Sequence, residues 1–257
     1  MYGAVIGDVV GSVYEFAPVK TKDFQIIRPD SRFTDDTVLT IATIDALLNG
    51  KSYSSVYKEW YKKYPQTGYG ASFVQWAQSE DTKPYNSWGN GSAMRVSPIG
   101  WYFDTITEVL DEARKSAEAT HNHPEGVKGA QATAAAVYLA RSGRTKGQIK
   151  EYIEQNFDYK LDEPLASVRT WYKFDVSCQG SVPQAFRAFL EARNFEDAVR
   201  NAVSLGGDSD TLACITGAIA EAYYREIPAF LKTEVTARLE PEMIVLLNNF
   251  YRIKNIS

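Results

Sequence analysis

The chain has 257 residues and a formal net charge of -4, with 44% hydrophobic and 23% charged residues, an ordinary composition for a globular protein. The negative charge and the lack of a basic block argue against a general nucleic-acid binder, which needs surplus lysine or arginine to neutralise phosphates. Two cysteines, no signal-peptide pattern and no apolar run long enough to cross a membrane predict a cytoplasmic protein without a disulfide framework.

The first strong helix signal is the segment TDDTVLTIATIDALLNG, residues 34–50. Thr34 suits an N-cap, Asp35 and Asp36 fall in the first turn, and Gly50 suits the end of the helix. The apolar side chains lie nearly all round this helix, which predicts a buried position at the centre of the protein.

Residues 64–97 follow as a stretch rich in glycine, asparagine, tryptophan and tyrosine. The stretch is too long for a simple connection, and long ordered loops in a domain are usually functional or ordered by a ligand. We therefore expect a functional loop region here.

Helical patterns fill most of the second half of the chain, several with Pro, Ser or Thr near the start and Gly or Asn near the end. Strand patterns are scarce, and DFQIIRP at residues 23–29 is the best candidate. The sequence predicts a single compact all-α domain over residues 1–257, with many helices. The further predicted helices are residues 106–120, 124–143, 145–157, 182–194, 195–207, 240–253 and a second buried helix at 210–228.

Both predicted buried helices are preceded by paired acids, Asp35 with Asp36 and Asp208 with Asp210. Carboxylates favour a helix N-terminus because its free amides and macrodipole carry partial positive charge. That effect accounts for one acid at each start, but two ionised carboxylates repel each other, more strongly when desolvated. If the two starts meet, four carboxylates converge without a lysine or arginine in either motif. Either some are protonated or a cation lies among them.

Hard divalent cations match this set of ligands, since oxygen donors suit magnesium, calcium or manganese. Two metal ions would balance four carboxylates better than one. The alternative is that each motif is an independent helix cap, although T-D-D-T and D-S-D-T are near copies of each other. Gly206 and Gly207 would let the backbone turn sharply into the second motif.

Five segments resemble the ADP-ribosylglycohydrolase family, which includes the ADP-ribosyl-acceptor hydrolases and dinitrogenase reductase-activating glycohydrolase. The match runs from Ala4 to Tyr224, with the segments in the family's order. The resemblance implies a helical fold with a binuclear cleft for magnesium or manganese, and hydrolysis of the bond between ADP-ribose and an acceptor. The segments are GAVIGDVVGSVYEF, FTDDTVLT, WGNGSAMRVSPIG, THNHPEGVKGAQATA and GGDSDTLACITGAIAEAYY.

The resemblance also implies roles for individual residues. Glu15, with Asp35 and Asp36, would act on the scissile bond or on the attacking water, although Glu15 by itself suits an ordinary solvated loop. The implied metal ligands are Thr34, Asp35, Asp36, Asp208, Asp210 and Thr211. The implied substrate-binding residues are Gly89, Asn90, Gly91, Ser92, Met94 and His121.

The glycines of GNGSAMR allow close approach of the backbone, and successive amides can hold phosphate oxygens. Arg95 suits a phosphate clamp or a structural ion pair. His121 and His123 suit a turn before Pro124 or a contact with the ligand better than a metal site.

The acceptor attached to ADP-ribose is not determined by these residues. By analogy we expect ADP-ribosylated arginine on a protein, so that the partner is an ADP-ribosylated protein or a small ADP-ribose derivative. The alternatives are an ADP-ribosylserine or O-acetyl-ADP-ribose hydrolase, a catalytically silent ADP-ribose-binding relative, and a helical scaffold stabilised by calcium.

Overall fold

The computed structural model describes residues 1–255, and within that range it contains fifteen helices and no strand. The predicted all-α fold is therefore confirmed. The helices are α1 (Tyr2–Gly11), α2 (Asp35–Asn49), α3 (Tyr53–Lys63), α4 (Ala71–Gln78), α5 (Gly91–Met94), α6 (Ser97–Tyr102), α7 (Ile106–Glu118), α8 (Pro124–Arg141), α9 (Lys146–Phe157), α10 (Leu165–Trp171), α11 (Cys178–Leu190), α12 (Phe195–Val203), α13 (Ser209–Tyr224), α14 (Ala229–Thr236) and α15 (Pro241–Ile253).

The two helices predicted to be buried lie at the centre of the core. All residues of α13 from Ser209 to Ala222 are buried, and the helix packs against α1, α8, α11 and α12. Helix α2 is buried from Asp36 to Ala46 and packs against α1, α3 and α15. Apolar residues surround each helix because each helix packs against neighbouring helices on several sides.

The ends of α2 follow local sequence signals. The Thr34 hydroxyl accepts a hydrogen bond from the Asp36 amide at the start, and Gly50 ends the helix with a φ of 63°. Because a positive φ is strained for a residue with a Cβ atom, glycine suits this position. The predicted bounds of α2 are therefore confirmed.

The other predicted helices are present with shifted ends. Helices α7, α8, α9 and α15 begin and end within two residues of the predicted bounds. Helix α11 begins four residues earlier than predicted, at Cys178, and includes Pro183 in its first turns. No helix among residues 1–255 combines the length and apolarity needed to cross a membrane.

Close contact between α1 and α13 depends on a stripe of glycines. Gly3, Gly7 and Gly11 are spaced four residues apart and so lie on one face of α1. A Cβ atom at Gly7 would lie 1.9 Å from the Ala213 carbonyl oxygen, and one at Gly11 would lie 2.4 Å from the Asp210 Cα atom. The two backbones therefore touch, and α1 sets the position of the start of α13.

Two stretches among the first hundred residues differ from what their sequence patterns suggest. Residues 23–29 form an irregular segment and not a strand, with the Gln25 carbonyl bonded to the Tyr14 hydroxyl and the Phe24 carbonyl to Arg200. Side chains thus replace the partner strand that a sheet would supply. The stretch 64–97, predicted as a loop, contains α4 and α5, which are too short for a strong periodic signal.

Candidate active site

The starts of α2 and α13 meet at the wall of a cleft of about 550 Å³. The Thr211 hydroxyl donates a hydrogen bond to Asp36 Oδ2 over 3.2 Å, which joins two helix starts that are 175 residues apart in sequence. The structure therefore brings the two acidic motifs together. All six residues expected to bind metal line this cleft: Thr34, Asp35, Asp36, Asp208, Asp210 and Thr211.

Asp8, a buried residue of α1, holds the start of α2. Its carboxylate accepts hydrogen bonds from the backbone amides of Thr34 at 2.9 Å and Thr37 at 3.0 Å. It also accepts from both hydroxyls, with Thr34 Oγ1 at 2.7 Å. Free amides at a helix start need such acceptors. Asp8 was not among the expected site residues, although an acid inside the apolar run GAVIGDVVG is a usable signal, since a buried carboxylate requires partners.

Glu15, Asp208 and Asp210 form an acidic cluster in the cleft. One carboxylate oxygen of each residue lies within 4.8 Å of the other two. Beside this cluster, Asp36 Oδ1 is buried and has no hydrogen-bond partner among residues 1–255. An unpartnered buried carboxylate oxygen is costly, so this atom is suited to binding a cation.

Burial and mutual repulsion raise the pKa values of these acids. Burial, followed by the nearby Asp210 carboxylate, raises the pKa values of Asp35 and Asp36 well above their usual range. Burial and then Asp208 do the same to the pKa of Asp210. Burial raises the pKa of Asp208 to about 6, and burial together with Asp210 raises the pKa of Glu15 to about 7. The protein alone therefore does not stabilise this many negative charges.

The donor set fits divalent cations. None of the ion pairs among residues 1–255 involves an acid of this cleft. Carboxylate and hydroxyl oxygens are the ligands that hard divalent ions prefer, and the unpartnered Asp36 Oδ1 supplies one of them.

The loop of Gly89, Asn90 and Gly91 forms another wall of the cleft. The Asn90 amide side chain donates to Asp208 Oδ2 at 2.6 Å, and the Asn90 backbone amide donates to the Val176 carbonyl at 2.7 Å. The loop therefore both lines the cleft and orients Asp208, one of the residues expected to bind metal.

The remaining expected substrate-binding residues are placed differently. Met94 and His121 line the cleft. Ser92 does not: it is fully buried behind the wall, and its hydroxyl donates to the Gly126 carbonyl at 2.7 Å. His123 caps α8, because its Nδ1 accepts from the Glu125 amide at 3.2 Å. Arg95 is fully buried and takes part in no ion pair among residues 1–255, which corrects the expectation of a structural ion pair.

The start of α4 lies in the stretch 64–97, which was expected to be functional, although no individual residue of this turn was named as a site residue. Thr67, Gly68 and Gly70 line the cleft with the first residues of α4, and Gly68 has a φ of 106°. The Asp35 amide donates to the Thr67 carbonyl at 2.8 Å, which ties this turn to α2. The start of α4, whose first amides have no acceptor within the helix, therefore lines the cleft next to Asp35. The glycines of TGYGAS were the available signal.

Comparisons with known proteins match segments of the chain that include all residues of the cleft. A family model described as ADP-ribosylglycohydrolase matches residues 1–252. ADP-ribosylhydrolase ARH3 from Homo sapiens is 28% identical over 302 residues, covering 86% of this chain and 83% of that protein. ADP-ribosylarginine hydrolase Tri1 from Pseudomonas putida is 23% identical, and the match covers 87% of this chain and 69% of that protein. A solved structure of an ADP-ribosylglycohydrolase-related protein complex has a TM-score of 0.73 and 25% identity, covering 98% of this chain and 95% of that chain.

Proposed function

Because the chain belongs to the ADP-ribosylglycohydrolase family and is a hydrolase, we propose that it is a metal-dependent enzyme that removes ADP-ribose from arginine side chains of proteins. The observation that carries the proposal is the meeting of Asp36, Asp208 and Asp210 with Glu15 in one cleft, without a lysine or arginine paired to them among the described residues.

Two magnesium or manganese ions are the proposed cofactors. Asp35, Asp36, Asp208, Asp210 and Thr211, with Thr34, would hold them, and the ions would supply positive charge that binds ribose hydroxyls and activates water. The carboxylate of Asp208 is kept in place by Asn90, and the start of α2 is kept in place by Asp8. These contacts support a preorganised site in which acids do not have to move when ligand binds.

Backbone amides on two sides of the cleft support binding of a diphosphate. The start of α4 offers amides that have no acceptor within the helix, and Gly89 and Gly91 leave room for close approach of the backbone. The helix macrodipole adds partial positive charge at the same end. ADP-ribose bound there would place its distal ribose near the acids.

Glu15 is the proposed acid–base residue. Its carboxylate lies within 4.8 Å of those of Asp208 and Asp210, beside the place where the attacking water would be held. In the metal-free protein burial, followed by Asp210, raises its pKa to about 7, and bound cations would lower that pKa and favour the ionised form that acts as a base. In the proposed reaction, water adds to the anomeric carbon of the distal ribose while the bond from that carbon to the guanidine nitrogen breaks. Glu15 accepts a proton from the water and returns it to the leaving nitrogen, so that the products are ADP-ribose and arginine and Glu15 is ionised again. Asp35 and Asp36 are the other candidates for orienting the water.

An aromatic pair beside Glu15 supports arginine as the acceptor. Phe16 is 82% exposed, and its ring stacks on that of Phe174 with centroids 6.4 Å apart. A planar guanidinium can stack on such rings. Tri1 is by name an ADP-ribosylarginine hydrolase. The second candidate is hydrolysis of ADP-ribosylserine or O-acetyl-ADP-ribose, because the identity is higher to ARH3, which is by name an ADP-ribosylhydrolase without a stated acceptor.

The test is incubation with arginine-linked and serine-linked ADP-ribosyl peptides plus manganese, with released ADP-ribose measured by chromatography. We expect release from the arginine peptide, loss of release with a chelator, and loss in Asp36→Ala and Asp210→Ala variants that remain folded. Release from the serine peptide alone would replace arginine by the second candidate. Full release in chelator would refute the metal role, and ADP-ribose binding without any release would refute the enzyme.

A matched pair of variants tests the aromatic contact. Phe16→Ala should raise KM for the arginine peptide, while Phe230→Ala removes a ring that is 50% exposed but does not line the cleft and should change nothing. An equal KM for the two variants would contradict the stacking contact.

A further inference from the structure

Arg95 is a buried cation among the residues that line the cleft. Its side chain is fully buried, and its guanidinium carbon lies 4.1 Å from the centroid of the Tyr57 ring. One of its nitrogens, Nη2, donates to the Ser116 carbonyl at 3.0 Å and to Thr120 Oγ1 at 2.7 Å. A buried charge without an ion pair is costly, so a role in the cleft would explain its presence.

The hydrogen bond from Arg95 to Thr120 determines how Thr120 bonds to His121. A guanidinium only donates, so Thr120 Oγ1 is the acceptor, and the hydroxyl proton remains to be donated. His121 Nδ1 lies 2.7 Å from Thr120 Oγ1. Tyr85 also lies near this hydroxyl, and the centroid of its ring is 6.0 Å from that of the His121 ring. The positive charge of Arg95 favours an unprotonated Nδ1 on the near side of the ring, so the Thr120 hydroxyl donates its hydrogen bond to Nδ1.

His121 therefore carries its own proton on Nε2, which faces the glycine loop. A Cβ atom at Gly91 would lie 3.2 Å from Nε2, and one at Gly89 would lie 3.5 Å from it. A Cβ atom at Gly91 would crowd the nitrogen, whereas one at Gly89 would be in ordinary contact with it. Burial, and then the charge of Arg95, lower the pKa of His121 well below its usual range, so the ring stays neutral.

We propose that Arg95 and Thr120 are positioning residues that fix the Nε2–H tautomer of His121, which then donates a hydrogen bond to an oxygen of bound ADP-ribose. The acceptor is a ribose hydroxyl or a phosphate oxygen, both of which accept from a neutral imidazole. The inference rests on the proposed function for the identity of the ligand, but the tautomer itself is a property of the free protein.

Nitrogen-15 NMR of histidine-labelled protein loaded with magnesium, which is diamagnetic, measures the tautomer directly. The sequence has only two histidines, so the His123→Gln variant assigns the signals. We expect His121 to be protonated on Nε2 and not on Nδ1. The Thr120→Ser variant keeps the hydroxyl and should keep this tautomer, while Thr120→Val should give a mixture or the Nδ1–H form.

Calorimetry with free ADP-ribose tests the consequence for binding. Thr120→Val should bind about tenfold more weakly, the loss of roughly one hydrogen bond, and Thr120→Ser should bind like the wild type. Unchanged affinity in folded Thr120→Val would overturn the proposal. If that variant does not fold, the wild-type spectrum decides alone, since a proton on Nδ1 overturns the proposal.

The two failures are distinguishable. If His121 is protonated on Nδ1 in a protein that hydrolyses ADP-ribosyl peptides, the proposed tautomer is wrong but the proposed function stands. If His121 is protonated on Nε2 in a protein that neither binds nor releases ADP-ribose, the proposed function is wrong, and so is the proposed hydrogen bond from His121 to ADP-ribose.

Discussion

Replacing Gly11 by alanine tests whether the contact between α1 and α13 sets the geometry of the acidic cleft. The added Cβ atom would lie 2.4 Å from the Asp210 Cα atom and 2.4 Å from the Ser209 carbonyl oxygen. Ordinary contact with a Cβ atom begins at 3.4 Å. The start of α13 must therefore move away from α1 by about 1 Å, since neither close atom belongs to a flexible side chain.

The expected effects follow from that displacement. Overpacking of this kind costs about 1–3 kcal/mol of folding free energy. A shift of about 1 Å in Asp210 also changes the distances to Asp208 and Glu15, and misplacement of this size lowers a catalysed rate by about 10²-fold. Affinity for manganese should fall with the rate, because the same carboxylates are the proposed ligands.

Gly3→Ala is the matched control. A Cβ atom at Gly3 would lie 2.2 Å from the Gly217 carbonyl oxygen, so the overlap is similar. Gly3 is eight residues before Gly11, roughly 12 Å along the helix at 1.5 Å per residue, and it is remote from the cleft.

Urea denaturation, manganese calorimetry and release of ADP-ribose are the assays for both glycine variants. We expect similar losses of stability, but losses of metal affinity and rate mainly in Gly11→Ala. If Gly11→Ala binds manganese and turns over like the wild type, or if folded Gly3→Ala loses as much activity, close packing at Gly11 does not set the site.

Two further predictions concern charge. In chelator, Asp36→Asn should be more stable than the wild type by about 0.5–2 kcal/mol, because the substitution removes a repelled buried charge. Manganese should raise the melting temperature of this variant less than that of the wild type. Equal or lower stability of the variant in chelator would contradict this prediction. Burial raises the pKa of Asp197, but hydrogen bonds from Arg193 and Lys22 outweigh it and lower the pKa to about 2. The stabilisation by ionised Asp197 is therefore complete above the unfolded pKa of about 4 and is lost as pH falls towards 2. Asp197→Asn should lower the urea midpoint at pH 7, with a difference from the wild type that narrows below about pH 4; a difference that stays constant with pH would count against it.

Local sequence signals were sufficient for most of the helices. Thr34 and Gly50 bound α2 because a cap hydroxyl and a left-handed glycine act within a few residues of the chain. The same short-range patterns located α7 to α9 and α15 within two residues. They were insufficient for α1, whose three glycines are poor helix formers, since its stability comes from packing against α13.

The sequence by itself determined that two acidic helix starts precede buried helices, and the excess of unpaired acid implied a cation. Only the tertiary structure decided that these starts meet, that Asp8 secures one of them, and that Glu15 lies within 4.8 Å of the acids of the other. The physical reason is range. Caps and periodicity act over a few residues of one segment, whereas convergence of side chains from distant segments depends on which helix backbones can pack closely, and that is settled only when the core is assembled.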